Sequence, residues 1–346
     1  MPAEWERHAA TWLAWPHNRT DWPGKFTVIP WVYGEIARRL APGETLRILV
    51  NSAEHERGAR RVLGRVGAPL ERIEFLRWPT DRSWTRDYGP IFVRREGSRP
   101  EIAVARFRFT AWAKYSNWKR DDRIAERAAQ RFKRQLITIT HQGRDVVLEG
   151  GSIDVNGRGT LLTTEECLLD PVVQTRNPGM TRAEYEAVLR DALGAANVLW
   201  LGKGIAGDDT HGHVDDLCRF VNPTTVVTCS EHHFSDENYR ALSENRERLA
   251  GMQTEDGSKL EVVELPMPEP LVFEGRRLPA SYANFYIGNA AVLVPTFNEP
   301  ADRQALGILS EVFDRPVVGI HAVDLVWGLG TLHCLTQQEP EPGLEK

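Results

Sequence analysis

The chain has 346 residues, 41% of them hydrophobic and 28 of them glycine, a composition that excludes wholesale disorder and allows two ordinary domains or one large repetitive one. Its 43 Lys and Arg against 48 Asp and Glu leave a net charge of −5, which argues against nucleic-acid and membrane partners, because either needs a basic excess. The opening residues carry no apolar signal stretch, no run approaches the ~18 apolar residues of a membrane helix, and the four cysteines contain no CxxC pair, so a reducing cytoplasm is the expectation.

Apolar periodicity then predicts, in chain order, a helix over 30–40, a strand over 46–50, a helix over 53–66 and a strand over 73–76. Strands 91–94 and 102–109 follow, then a helix over 122–135. A hairpin turns at Asn156-Gly157, a helix covers 182–193 and a strand 197–201. Thr181 and Glu184 spell a capping box ahead of that helix, and Ser235 is a candidate cap for the next, over 236–249. The hairpins at Asn222-Pro223 and Gly288-Asn289, strands 260–265 and 316–320, and a helix over 301–313 complete the series.

Asp87, Glu149, Asp215 and Tyr282 each stand just ahead of such a strand pair, at intervals of about 65 residues, a near-regular period that suggests repeated modules delivering residues to a common axis. The segment 330–337 would supply a fifth module. The competing reading is ordinary α+β alternation.

Three motifs bear on chemistry. The stretch GKGIAG at 202–207 follows a strand, but its continuation DDTHGHVDD is acidic and poor in helix formers, so it reads as a loop rather than a phosphate cradle. Within that loop, His211, His213 and Asp215 alternate as Zn²⁺ ligands would, or as acid–base groups. Cys334 is either an inert buried thiol or a nucleophile, with His213 from another module a better partner than adjacent His333. Asp87, Glu149 and Asp215 could each pair with a nearby Arg. Gathered around a thiol, three carboxylates need a compensating cation, and a bound guanidinium supplies one in a planar form suited to bidentate contacts.

These segments resemble the agmatine deiminase family, grouped with bacterial peptidylarginine deiminases among guanidine-modifying enzymes. The resemblance runs nearly end to end, through MPAEWE (1–6), TWLAWP (11–16), WTRD (84–87), LEGGS (148–152), TTEECLL from Thr163 to Leu169, RNP (176–178), GHVD (212–215), PASY (279–282) and HCLTQQ from His333 to Gln338. It implies an α/β fold, a five-bladed pseudo-symmetric propeller (the pentein fold) with its site on the central axis. It further implies one catalytic domain over 1–340 with a short polar tail at 341–346, no metal or organic cofactor, a small-molecule guanidino substrate and a tendency to form homo-oligomers. Carried over residue by residue, Cys334 would be the nucleophile, His213 the general acid/base, Asp87 and Asp215 the guanidinium clamp, and Glu149 the residue that holds His213. Trp84 and Trp112 would stack on the cation or line the tail channel. The implied reaction is hydrolytic deimination of agmatine to N-carbamoylputrescine and ammonia through a Cys-linked thiouronium, with arginine or peptidyl-arginine as the alternative substrate. A Zn²⁺-dependent hydrolase using His211, His213 and Asp215, and a silent guanidine binder, are the readings from other classes. The chain departs from the family pattern at His211, where Asn is usual, at Ala113-Lys114, where paired glycines are usual, and at Leu329-Gly330-Thr331. Lys114, if it points inward, would repel an ammonium tail and suit a carboxylate.

Overall fold

A computed structural model describes residues 1–95 and 101–343; residues 344–346 of the expected polar tail lie outside the described residues. The architecture is mixed α/β and is organised around five sheets of three or four strands among the described residues. In the first, His8–Ala14 runs antiparallel to Gln337–Pro340 on one side and parallel to Thr45–Leu49 on the other, and Thr45–Leu49 continues in parallel to Ile73–Leu76. The others follow one plan, in which an antiparallel pair is extended by a parallel strand reached through a crossover. They comprise Ile91–Arg95, Glu101–Arg106 and Gln135–Thr138, then Asp154–Val155, Thr160–Thr164 and Asn197–Leu201. Next come Cys218–Phe220, Thr225–Ser230 and Glu261–Pro266, and last Tyr286–Ile287, Val292–Thr296 and Val317–His321.

Helices occupy the crossovers because parallel strands need a long connection with one apolar face to lay on the sheet. Thr181 caps Arg182–Leu193 with the reciprocal Glu184 contact that the sequence spells. Two helical expectations shift. The helix read over 122–135 is a 3₁₀ turn and a helix ending at Arg131; Lys133 takes a left-handed φ of 51°, and Gln135–Thr138 leaves as a strand. The helix after Ser235 starts only at Asn238, whose backbone N–H donates to Asp236 rather than to Ser235.

The apolar core is built from the strand faces, Leu13, Leu46, Ile48, Leu161, Val226 and Leu293 among them. Between the sheets lies an equally dry polar centre: Glu4, Glu149, His213, Asp215, Arg219 and His333 are all 3% exposed or less. No helix among the described residues is long and apolar enough to cross a membrane.

Candidate active site

In each of the five sheets, the residues just ahead of the strand antiparallel to the central one turn inward. Asp87 sits in the short helix Thr85–Tyr88 before Ile91–Arg95, and Glu149 precedes the 3₁₀ turn Gly150–Ser152 before Asp154–Val155. Asp215 lies in the turn Val214–Asp216 before Cys218–Phe220, and Cys334 precedes Gln337–Pro340. Gly151 lets these turns close on one another: a Cβ there would stand 2.6 Å from His213 Nδ1 and 2.8 Å from Asp87 Oδ1. Gly330 does the same beneath the thiol, where a Cβ would stand 3.1 Å from Cys334 Sγ.

Asp87 accepts hydrogen bonds from the Gly151 backbone N–H (3.1 Å) and the Trp112 indole (3.0 Å). His213 is ringed by acids, with Nδ1 3.7 Å from Asp87 and 3.9 Å from Asp215, and Nε2 3.6 Å from Glu149. Neither of its nitrogens makes a direct hydrogen bond. Burial opposes its charged form, but Asp87, the Cys167 sulfur and Glu149 together push its pKa well above the ordinary imidazole value. Burial likewise opposes ionised Glu149, which Arg176 and His213 nonetheless hold below the usual range. For Asp87 burial wins, and with Asp215 and Glu149 nearby its pKa rises to about 7. The Cys334 thiol is pushed far up, by burial first and then by Asp215, Asp216 and Asp87. A protonated thiol therefore stands beside acids that a nearby cation would hold ionised.

Several contributors escape sequence reasoning. The fourth inward residue is Asn284, not Tyr282, whose hydroxyl donates away from the site to Glu299 and Asp302. The Asn284 amide donates to Cys334 Sγ (3.1 Å) and Asp216 (2.9 Å), while its oxygen accepts from Thr331 and the His333 backbone. Arg176 is fully buried against Glu149, both contacts being 3.2 Å. Its RNP motif was visible, but its role was not. Cys167 sits with Glu149 and His213, the potential ligand atoms all within 4.8 Å of one another.

The Zn²⁺ triad does not assemble, because His211 takes a left-handed backbone (φ 66°) and its Nε2 lies 2.9 Å from Asp170. His211 joins neither of the buried ligand clusters found among the described residues. The loop after GKGIAG opens no helix, as its acidity predicts.

Cys334 and Asp87 are the floor of an open cavity of about 460 Å³, walled by Trp84, Trp112, Tyr115 and Trp327. At its mouth Asp209 accepts from Lys114 (2.8 Å), Tyr115 (2.6 Å) and Arg276 (2.9 Å). Lys114 thus does turn toward the cavity wall, though it is tied to an acid there.

A thiol and an acid at the floor of one cavity coincide with a sequence match over residues 1–340 to the profile of the Porphyromonas-type peptidyl-arginine deiminases. The chain belongs to that family. An agmatine deiminase of Ectopseudomonas mendocina is 34% identical, with 99% of this chain and 95% of the relative covered. The solved agmatine deiminase of Enterococcus faecalis superposes with a TM-score of 0.89 at 31% identity, covering 99% and 96% of the two chains. Campylobacter jejuni agmatine deiminase, a cysteine-to-serine variant with substrate bound, gives 0.84 at 26% identity over 99% and 96%. Membership in this deiminase family makes the chain a hydrolase of amidine C–N bonds.

Proposed function

We propose that this chain deiminates agmatine to N-carbamoylputrescine and ammonia, with Cys334 as nucleophile. The observation that carries the reading is the thiol held by Asn284 on a cavity floor shared with Asp87, beside Asp215 Oδ2 at 3.8 Å. A guanidinium entering this acid-rich floor would pair with Asp87 and Asp215. Its charge would favour the thiolate, the thiol proton passing to solvent in the open cavity, since a nearby cation favours the anionic form. The thiolate attacks the central carbon while the two acids fix its plane. Protonated His213 gives a proton to one departing nitrogen, and ammonia leaves a thiouronium on sulfur. Neutral His213 then takes a proton from water, and the resulting hydroxide adds to the same carbon. Collapse breaks the C–S bond, the hydroxyl proton passes through solvent to the departing sulfur, and the ureido product and the resting thiol are released. Glu149, fixed by Arg176, keeps the imidazole facing the site, and Asn284 gives the thiolate an N–H partner. Trp84 and Trp112 serve as cavity walls, with Trp112 also orienting Asp87.

The same reading treats residues 1–340 as one catalytic domain whose five sheets are blades around a central axis. The shared position of the inward residues ahead of each antiparallel strand supports this arrangement. The four cysteines are free and buried, which fits a reducing cytoplasm. Lys114 and Arg276 at the mouth favour a second substrate, arginine or a terminal peptidyl-arginine, whose carboxylate would meet them. A colorimetric ureido assay on agmatine, arginine and an arginine-terminated peptide tests both readings. Product from agmatine supports the first, a clear preference for the carboxylates supports the second, and no product from any of the three overturns the deiminase reading.

A further inference from the structure

His333, beside the nucleophile in sequence, is 1% exposed and has carboxylates at both ring nitrogens. Nδ1 lies 2.6 Å from Asp215 Oδ2 and Nε2 lies 2.8 Å from Glu4 Oε2. Each ring nitrogen thus has one carboxylate oxygen at hydrogen-bond distance, which fixes the ring between the two acids. Glu4 is itself saturated: it also accepts from Arg86 (3.1 Å) and the Ile287 backbone N–H (2.9 Å), and it pairs with Arg219 at 3.1 Å. Asp215 Oδ1, by contrast, is buried with no hydrogen-bond partner, facing His213 Nδ1 at 3.9 Å.

We infer that Glu4 and His333 are positioning residues for Asp215: Glu4 fixes the ring through Nε2, and the ring pins Asp215 Oδ2 through Nδ1, leaving Oδ1 to receive a guanidinium N–H. Two neighbouring acids show what happens without such a partner. Asp87, equally dry, rises to about 7. Asp216, whose hydrogen bond comes from the neutral Asn284 amide, rises well above the carboxylate range. Asp215 is opposed by the same burial, yet His333, with His213 and Arg219, holds it low. The other charged or titratable groups facing Asp215 are Asp87, Asp216 and Cys334, and those facing the Glu4–His333 pair are Arg86, Arg219, Asp154 and Tyr286.

The inference rests on the deiminase reading only in assigning Asp215 a guanidinium ligand. Its test is the pH dependence of guanidinium binding in a Cys334→Ala background, where thiol titration and turnover are both removed. In the parent, Asp87 must lose its proton, so affinity should fall about tenfold per pH unit below neutrality with about one proton released on binding. Glu4→Gln leaves a neutral partner at ring Nε2, and His333→Asn leaves a neutral amide donor near Asp215. In each, Asp215 joins Asp87 among the protonated acids, and the slope should steepen toward about a hundredfold per unit with about two protons released. The double variant should go no further than either single one, because both break the same chain of contacts to Asp215. A merely structural role would weaken binding without changing the proton count. A slope that stays at the parent value, additive singles, or a parent that binds no guanidinium overturns the inference. Should Glu4→Gln fail to fold because Arg86 and Arg219 lose their counter-charge, His333→Asn, which keeps Glu4, decides alone. Lack of ureido product from the intact enzyme counts against the deiminase reading, whereas an unchanged slope in a variant that binds counts against the relay.

Discussion

Cys334 and its neighbours differ in charge state because single partners differ. With the thiol pushed up by burial and three acids, thiolate is scarce in the empty site at neutral pH. Inactivation by iodoacetamide, followed at Cys334 by peptide mass spectrometry, should therefore climb about tenfold per unit through about pH 9. A plateau near neutrality would show a preformed thiolate. Cys334→Ser should abolish turnover while guanidinium binding persists by calorimetry, since Asp87 and Asp215 remain; substantial activity would remove the thiol from the mechanism. At this scale the sequence was partly legible. Asp87, Glu149, Asp215 and Cys334 announce themselves because each sits in a short motif ahead of a strand pair. Asn284 was displaced in favour of Tyr282, two residues earlier, since both precede the same strands and only side-chain direction separates them. Glu4 was hidden for a different reason: its partner His333 is 329 residues away.

Among elements, the segment Ala111 to Ala113 is the most strained. Three consecutive non-glycine residues take left-handed φ values of 48°, 59° and 52°, a turn closed by the Lys114 and Tyr115 amides on the Ala111 carbonyl. Each such residue costs roughly 1–2 kcal/mol relative to right-handed backbone. The turn delivers Trp112 to Asp87 and Lys114 to Asp209. Ala113 is exposed, so Ala113→Gly relieves strain without opening a cavity and should raise stability by about 0.5–1 kcal/mol despite the looser unfolded chain. Chemical denaturation would register this, and a lowered midpoint would mean the turn is not strained. Periodicity found the crossover helices well, because each buries one stripe. It overran at 122–135, where Lys133 reverses the backbone and an apolar pair, Leu136 and Ile137, belongs to a strand rather than to the helix before it.

At the scale of the whole molecule, the even spacing of the site acids was legible because four of the five sheets repeat one hairpin-and-crossover plan. What no spacing could show is how the ends are joined. His8–Ala14 pairs with Gln337–Pro340, and contacts of such separation form slowly because loop closure precedes any gain. After dilution from denaturant, deiminase activity should return with the slowest phase, later than the far-UV helix signal. Simultaneous recovery would argue that the terminal strands dock early.

Glu4 gives that closure a temporal side. It is synthesised 329 residues ahead of the imidazole it must grip. During synthesis the nascent polypeptide therefore carries Asp87, Glu149 and Asp215 before the sulfur of Cys334 and the brace of His333 exist, and the site closes only after that later segment has emerged.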